Sequence, residues 1–126
     1  MGDVFRRNPD GTLSFVDRRK YLIKSGGENI YPAEIERVLM RDARVAEAVV
    51  VRRRSVEWGE VPVAFVAVHD RTVTPDDLMR ACRAQLSSYK LPREIRIVAS
   101  QEDFPRSTSG KVQRQLVERW LDEGSA

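Results

Sequence analysis

The chain has 126 residues, a net charge of +3, 41% apolar residues and 33% charged residues. That length fills one core and leaves little for a second, and the balance is that of an ordinary globular domain rather than a disordered or fibrous chain. No run approaches the ~18 apolar residues a membrane span needs, the first residues hold no apolar stretch of a signal peptide, and a single cysteine beside a single histidine excludes an internal disulfide and disfavours a structural zinc site. A reducing, cytoplasmic setting is the expectation. The positive charge suits an anionic partner, whether nucleotide, coenzyme phosphate or nucleic acid.

In chain order, residues 1–19 read as a connector and hairpin, with a turn at Asn8, Pro9, Asp10 and Gly11. A short strand follows at 13–16 and a second at 21–23. Residues 25–29, Ser-Gly-Gly-Glu-Asn, are expected to break regular structure. Pro32 suits the first position of a helix, and Ile35, Val38 and Leu39 give that helix one apolar face. The valine-rich runs 45–51 and 61–68 read as buried strands, joined through 54–60, with Pro62 confined to a strand start or an edge. Thr74, Pro75, Asp76 and Asp77 open a second helix in N-cap order, lined by Met79, Cys82 and Leu86. Residues 94–97 alternate as a half-exposed strand does. After a loop at 99–110, Val112, Leu116, Val117, Trp120 and Leu121 mark a final amphipathic helix. The expected class is α+β: a small, mainly antiparallel three-stranded sheet with flanking helices, preceded by a β-hairpin.

The run Pro105-Arg106-Ser107-Thr108-Ser109-Gly110-Lys111-Val112-Gln113-Arg114 sets a lysine at the tip of a small, hydroxyl-rich loop read as flexible. An amine so placed can be carried to a distant pocket and set against developing negative charge, so Lys111 is the candidate catalytic cation. A phosphate-cradling P-loop fails on spacing, which would need Gly where Pro105 stands and Ser or Thr where Val112 stands. By itself, Ser-Gly-Lys is more often just an exposed lysine ahead of a helix.

A second segment removes that ambiguity. Asp17-Arg18-Arg19-Lys20-Tyr21-Leu22-Ile23-Lys24-Ser25-Gly26-Gly27-Glu28-Asn29-Ile30-Tyr31-Pro32-Ala33-Glu34-Ile35-Glu36 resembles the hinge motif of the adenylate-forming superfamily, which includes acyl-CoA synthetases (fatty-acid-CoA ligases), peptide-synthetase adenylation domains and luciferases. The 105–114 run resembles the C-terminal lysine motif of the same superfamily, and Gly2-Asp3 resembles the end of its aspartate motif. The Asp-Arg-x-Lys and Gly-Gly-Glu-Asn signatures are similar to those of acyl-CoA ligases. Peptide-synthetase domains usually carry a Gly-Arg hinge instead.

The resemblance implies a C-terminal lid at 20–126, preceded at 1–19 by the end of a large N-terminal domain and its linker. That N-terminal adenylation domain is the implied partner. It would hold ATP, with Mg2+, and a carboxylic acid whose identity this chain does not reveal. Lys111 would assist attack of the carboxylate on the α-phosphate, giving acyl-AMP, after which coenzyme A displaces AMP as a thioester. Lys20 would be the hinge. Asp3, Arg18 and Lys24 would meet the nucleotide, and Ser25, Gly26, Gly27 and Glu28 would form the loop beside the pantetheine chain. The lysine motif also resembles a target of protein lysine acetyltransferases, which would silence Lys111. Glu36, Trp58 to Glu60 and Trp120 read as structural or solvated, and Arg52, Arg53 and Arg54 as a solvated basic turn. Alone, the chain is expected to show no turnover and to bind no cofactor tightly. The alternative is a stand-alone basic module binding nucleic acid or protein; it lacks an aromatic-interleaved basic strand, so no nucleic-acid partner is expected.

Overall fold

A computed structural model describes residues 21–124 of the chain. The expected turn at 8–11 and strand at 13–16 lie outside those residues. The elements are β1 (Ile23–Ser25), β2 (Glu28–Ile30), α1 (Pro32–Leu39), β3 (Val45–Ser55), β4 (Gly59–Val68), α2 (Pro75–Gln85), β5 (Glu94–Val98) and α3 (Arg114–Gly124). Short 3-10 turns occupy Ser88–Lys90 and Gln101–Asp103. The α+β class and the mainly antiparallel sheet stand as expected.

The sheet has five strands rather than three. β3 and β4 form a long antiparallel ladder from Ser55 opposite Gly59 to Val45 opposite Val68. The segment read as a connection at 54–60 is therefore mostly strand, closed by a tight turn. β5 lies parallel to β4, with Val63 opposite Glu94 and Ala67 opposite Val98. Helix α2 supplies the crossover that a parallel neighbour requires. β1 meets β4 at Ser25 opposite Gly59, and β2 pairs with β1.

Pro62 is not at an edge strand; it sits inside β4, opposite Arg52. Its carbonyl accepts from the Arg93 N–H at 2.8 Å, on the side away from β3. The missing N–H therefore faces the gap between β1 and β5, where no ladder bond is lost.

Side chains leave a strand on alternate sides, and here both sides are covered. Ala48, Val50, Ala64 and Val66 join Ile23, Ile30, Ile35, Leu39, Leu78 and Cys82 in one buried cluster. Val49, Val51, Val63, Phe65 and Ala67 join Phe104, Val117 and Leu121 in the other. α1 and α2 thus cover one face and α3 the other. Burial pushes the Cys82 thiol up to about 11, leaving it a small apolar core residue. Trp120 packs edge-on to Phe65 at 5.2 Å and stacks on Phe104 at 5.8 Å. α2 starts in a full capping box: the Thr74 side chain accepts from the Asp77 N–H, and the Asp77 carboxylate accepts from the Thr74 N–H. Leu86 falls just beyond that helix, as its C-cap.

Residues 25–29 do not break the structure. They belong to a two-residue hairpin between β1 and β2, because Gly26 and Gly27 take φ of 58° and 86°, the pair of positive values a type I′ turn needs. The same segment is held against the β3–β4 turn. The Gly26 N–H donates to the Trp58 carbonyl at 2.8 Å, and the Lys24 N–H donates to the Glu60 carboxylate at 2.9 Å. A β-carbon at Gly26 would lie 2.7 Å from Trp58 Cε3, whereas one at Gly27 would meet nothing within 4 Å.

Two predictions follow from this packing. Gly26→Ala should cost about 1–3 kcal/mol in chemical denaturation, from positive φ plus displacement of the indole, and should cost more than Gly27→Ala, where only the φ strain acts. Equal losses would show that the Trp58 contact constrains nothing. Glu94 is held below the usual carboxylate value by a hydrogen bond from Arg96, helped by Arg53. Its contribution is present above the free-chain value of about 4.3 and is lost as pH falls through the lowered folded value. Glu94→Gln should therefore be less stable than wild type near neutrality, by under about 1 kcal/mol at this half-exposed site. That gap should close in acid; a difference that persists unchanged into acid would contradict the assignment.

Candidate functional site

The Lys111 segment is more ordered than a flexible loop. Phe104, 2% exposed, buries its start beneath α3. From there the chain doubles back on itself: Gln113 N–H donates to the Pro105 carbonyl at 2.8 Å, and Ser107 N–H donates to the Lys111 carbonyl at 2.9 Å. Between them Arg106 and Val112 form an isolated antiparallel bridge, so Val112 precedes the final helix rather than opening it. Gly110 closes the turn at φ 89°, its N–H donating to the Ser107 carbonyl at 2.9 Å. The Ser107 and Ser109 hydroxyls lie 2.8 Å apart.

Arg106 braces this turn from below. Its guanidinium pairs with Glu47 on β3 and donates to the Gly110 carbonyl at 3.2 Å and the Gln101 carbonyl at 3.3 Å. The backbone of Lys111 is thereby fixed, while its side chain stays exposed. Among the described residues no carboxylate pairs with its amine. The result is a cation on a rigid mount with a free reach of four methylenes.

The second candidate locus is the β1–β2 turn. Ser25 is buried at 4% exposure, whereas Lys24, Gly26, Gly27 and Glu28 are exposed. Beside the turn lies an open groove of about 480 Å³, whose lining includes Glu28, Trp58, Arg83, Tyr89 and Arg93. The Arg93 guanidinium sits 5.4 Å from the centre of the Trp58 ring. Trp58 and Glu60 thus prove structural in a specific sense: they hold the turn that carries the candidate residues.

The structure does not bring the two loci together. Ile23 and Ile30, which root the turn, pack on the α1–α2 face of the sheet. Phe104 and Val112, which root the Lys111 turn, pack on the α3 face. Asp3, Arg18 and Lys20 lie outside the described residues. Among the described residues no group of three or more His, Cys, Asp or Glu side chains is placed to hold a metal ion.

Five residues that sequence reasoning passed over or misread form a network where the described chain begins. β3 has a ladder partner on one side only, and its open edge would otherwise carry unpaired backbone groups. The Val50 N–H donates to the Glu36 carboxylate at 2.8 Å, and the Val50 carbonyl accepts from Arg114 at 3.1 Å. The Arg52 N–H donates to the Tyr21 hydroxyl at 3.0 Å, which in turn donates to the Glu118 carboxylate. Arg114 and Glu36 pair at 2.7 Å, and Arg52 and Glu118 at 3.3 Å. Burial, reinforced by the bond to Glu118, pushes the Tyr21 hydroxyl well above its ordinary value and keeps it a donor. Glu36 is therefore not a solvated helix residue. Arg52 and Arg53 are not a solvated turn either: both are strand residues engaged in ion pairs, Arg53 with Glu94 at 2.9 Å. Glu34 pairs with Lys90 at 2.9 Å. No sequence period marks this network, because its members come from α1, β3, α3 and the segment before β1.

Comparison with known proteins places this arrangement. A 2-succinylbenzoate–CoA ligase from Listeria monocytogenes is 45% identical over 119 residues, which is 94% of this chain and 25% of that protein. A ligase of the same description from Bacillus cereus is 43% identical over 122 residues, 97% of this chain and 24% of its own length. Among solved structures, a Mycobacterium tuberculosis fatty acyl CoA synthetase superposes with a TM-score of 0.76 at 33% identity, covering 86% of this chain and 21% of that one. The o-succinylbenzoate CoA synthetase of Bacillus subtilis, in complex with the acyl-adenylate intermediate OSB-AMP, superposes with a TM-score of 0.73 at 40% identity, covering 81% of this chain and 20% of that one. The chain spans about a quarter of the curated relatives it matches. Residues 34–111 match the profile described as the AMP-binding enzyme C-terminal domain, and the chain belongs to that family.

Proposed function

We propose that the chain is the lid of an AMP-forming acid–thiol ligase and that Lys111 completes the active centre of a larger N-terminal adenylation domain. The observation that carries this reading is the mounting of Lys111: an exposed amine on a turn braced by Arg106 and rooted on the α3 face of the sheet, whereas the Ser25–Glu28 hairpin is rooted through Ile23 and Ile30 on the α1–α2 face. The relatives named 2-succinylbenzoate–CoA ligase support coenzyme A as the acceptor and an aromatic carboxylic acid as the donor.

In the first half-reaction a carboxylate oxygen attacks the α-phosphorus of ATP. The bond from that phosphorus to the bridging oxygen breaks, releasing pyrophosphate. Negative charge spreads over the transferring group, and the Lys111 ammonium, brought in with the lid, offsets it. Mg2+ arrives with ATP as part of the substrate. Arg18 and Asp3 would contact the nucleotide in this pose.

In the second half-reaction the thiolate of coenzyme A attacks the acyl carbon and AMP leaves. For this the lid turns about Lys20 and offers the hairpin instead. Lys24 and Glu28 flank the turn, and Gly26 and Gly27 let the backbone approach the narrow pantetheine arm. The groove beside it, with Trp58 and Tyr89 faces and the Arg83 and Arg93 charges, suits the phosphate-bearing body of the coenzyme. The chain alone lacks the rest of the pocket and has no turnover. An acetyltransferase that modified Lys111 would remove the charge while leaving the hairpin untouched.

The test joins this chain to the N-terminal domain of the Listeria relative. Lys111→Ala should lower ATP–pyrophosphate exchange by about 10²–10³-fold, the usual loss for one transition-state charge partner. Thioester formation from supplied acyl-AMP should stay within about twofold, since that step uses the other face. Undiminished exchange in the variant would refute the role of Lys111.

A further inference from the structure

The lid begins, on the C-terminal side of residue 20, with a side chain that is fixed at its ring and at its hydroxyl. The Tyr21 hydroxyl accepts from the Arg52 backbone on β3 at 3.0 Å and donates to Glu118 on α3. Its ring lies 4.6 Å from the Arg52 guanidinium and 5.5 Å from that of Arg114. Those two arginines are themselves held, Arg52 by Glu118 and Arg114 by both Glu36 on α1 and the Val50 carbonyl. Two elements, β3 and α3, therefore hold Tyr21 directly, and α1 joins them through the Arg114–Glu36 pair, all at the edge strand of the sheet.

A rotating joint needs a sharp boundary between the part that turns and the part that stays. If the first residues of the lid were loosely attached, a swing would be shared among many torsions and would reach no defined end point. We propose that Tyr21 is the positioning residue that sets this boundary. The torsions on the C-terminal side of its Cα move with the lid as one body, and the swing is taken up on its N-terminal side. The inference rests on the reading of residue 20 as the hinge and adds a residue to it. Ile23 is held within the β1–β2 ladder and the buried core, whereas Tyr21, two positions nearer residue 20, is held by directional bonds on both the donor and the acceptor side of its hydroxyl.

The variant Tyr21→Phe keeps the ring and removes both hydroxyl bonds. In the 126-residue chain, the backbone order parameter of Leu22 should fall from about 0.85 to below about 0.6. Exchange of the Arg52 amide should quicken about tenfold on loss of its acceptor. The Val63 and Val66 amides should keep their protection, which shows that the sheet is intact. Glu118→Gln, which can still accept from the hydroxyl, should retain most of the order at Leu22. An unchanged order parameter at Leu22 in Tyr21→Phe would overturn the anchor.

In the chain joined to an adenylation domain, Tyr21→Phe should lower kcat of both half-reactions by about tenfold, because both poses become less well defined. KM for ATP should stay within about twofold. A loosened Leu22 with both rates unchanged would reduce Tyr21 to a stabilising residue and overturn the proposal. Lys111→Ala reports separately: retained adenylation there removes the enzymatic reading, while the order measurement on the chain alone stands or falls by itself.

Discussion

Successive side chains on a strand point to opposite sides, and the long β3–β4 ladder imposes that rule on the whole molecule. Beyond the irregularity between Val45 and Glu47, even-numbered ladder positions such as Val50 and Val66 belong to one packed face and odd-numbered positions such as Val51 and Phe65 to the other. Everything with chemical potential is then sorted by the face in which it is rooted. The glycine hairpin is rooted through Ile23 and Ile30, and the Lys111 turn through Phe104. A slip of one residue in the ladder would exchange the faces and scramble both. Two spatially separate loci on one small rigid body are what a lid that serves two steps in alternation requires.

The same ladder creates a difficulty, an open edge on β3, and its solution ties Tyr21 to the body of the domain. Glu36, Arg114 and Tyr21 satisfy the backbone groups of Val50 and Arg52. Arg114 lies only three positions beyond Lys111 in the chain, so the mount of the candidate cation and the anchor near the candidate hinge share a structural element, the start of α3. Arg106 performs the corresponding task at the other end of the turn by pairing with Glu47 on the same strand. β3 thus serves as the common frame for both.

Much of the fold was legible because it rests on local signals. Thr74 through Asp77 announced the start of α2, Pro32 that of α1, and the valine runs marked the central ladder. What escaped was long-range. Gly26 and Gly27 were read as a break because their composition is that of a loop; only the paired register of Ser25 with Glu28 makes them a turn between strands. Pro62 reads as a strand-start or edge residue because a proline in a central strand normally costs a bond, yet the gap between β1 and β5 removes that cost. Glu36 and Arg52 carry charges that composition assigns to solvent, and their partners lie 78, 14, 66 and 31 positions away. Lys111 and Ser25 to Glu28 are candidates by resemblance alone; the bracing by Arg106 and the Trp58 contact that position them carry no sequence signal.

The proposed alternation of the chain between two poses on an adenylation domain is most directly tested by distance. With the chain joined to an adenylation domain, a spin label at Arg71→Cys, an exposed position remote from both loci in sequence, can be paired with one on the larger domain. A stable acyl-AMP analogue alone and the same analogue with coenzyme A should give two distinct distances whose populations exchange. A single distance, unmoved by either ligand, would contradict the account.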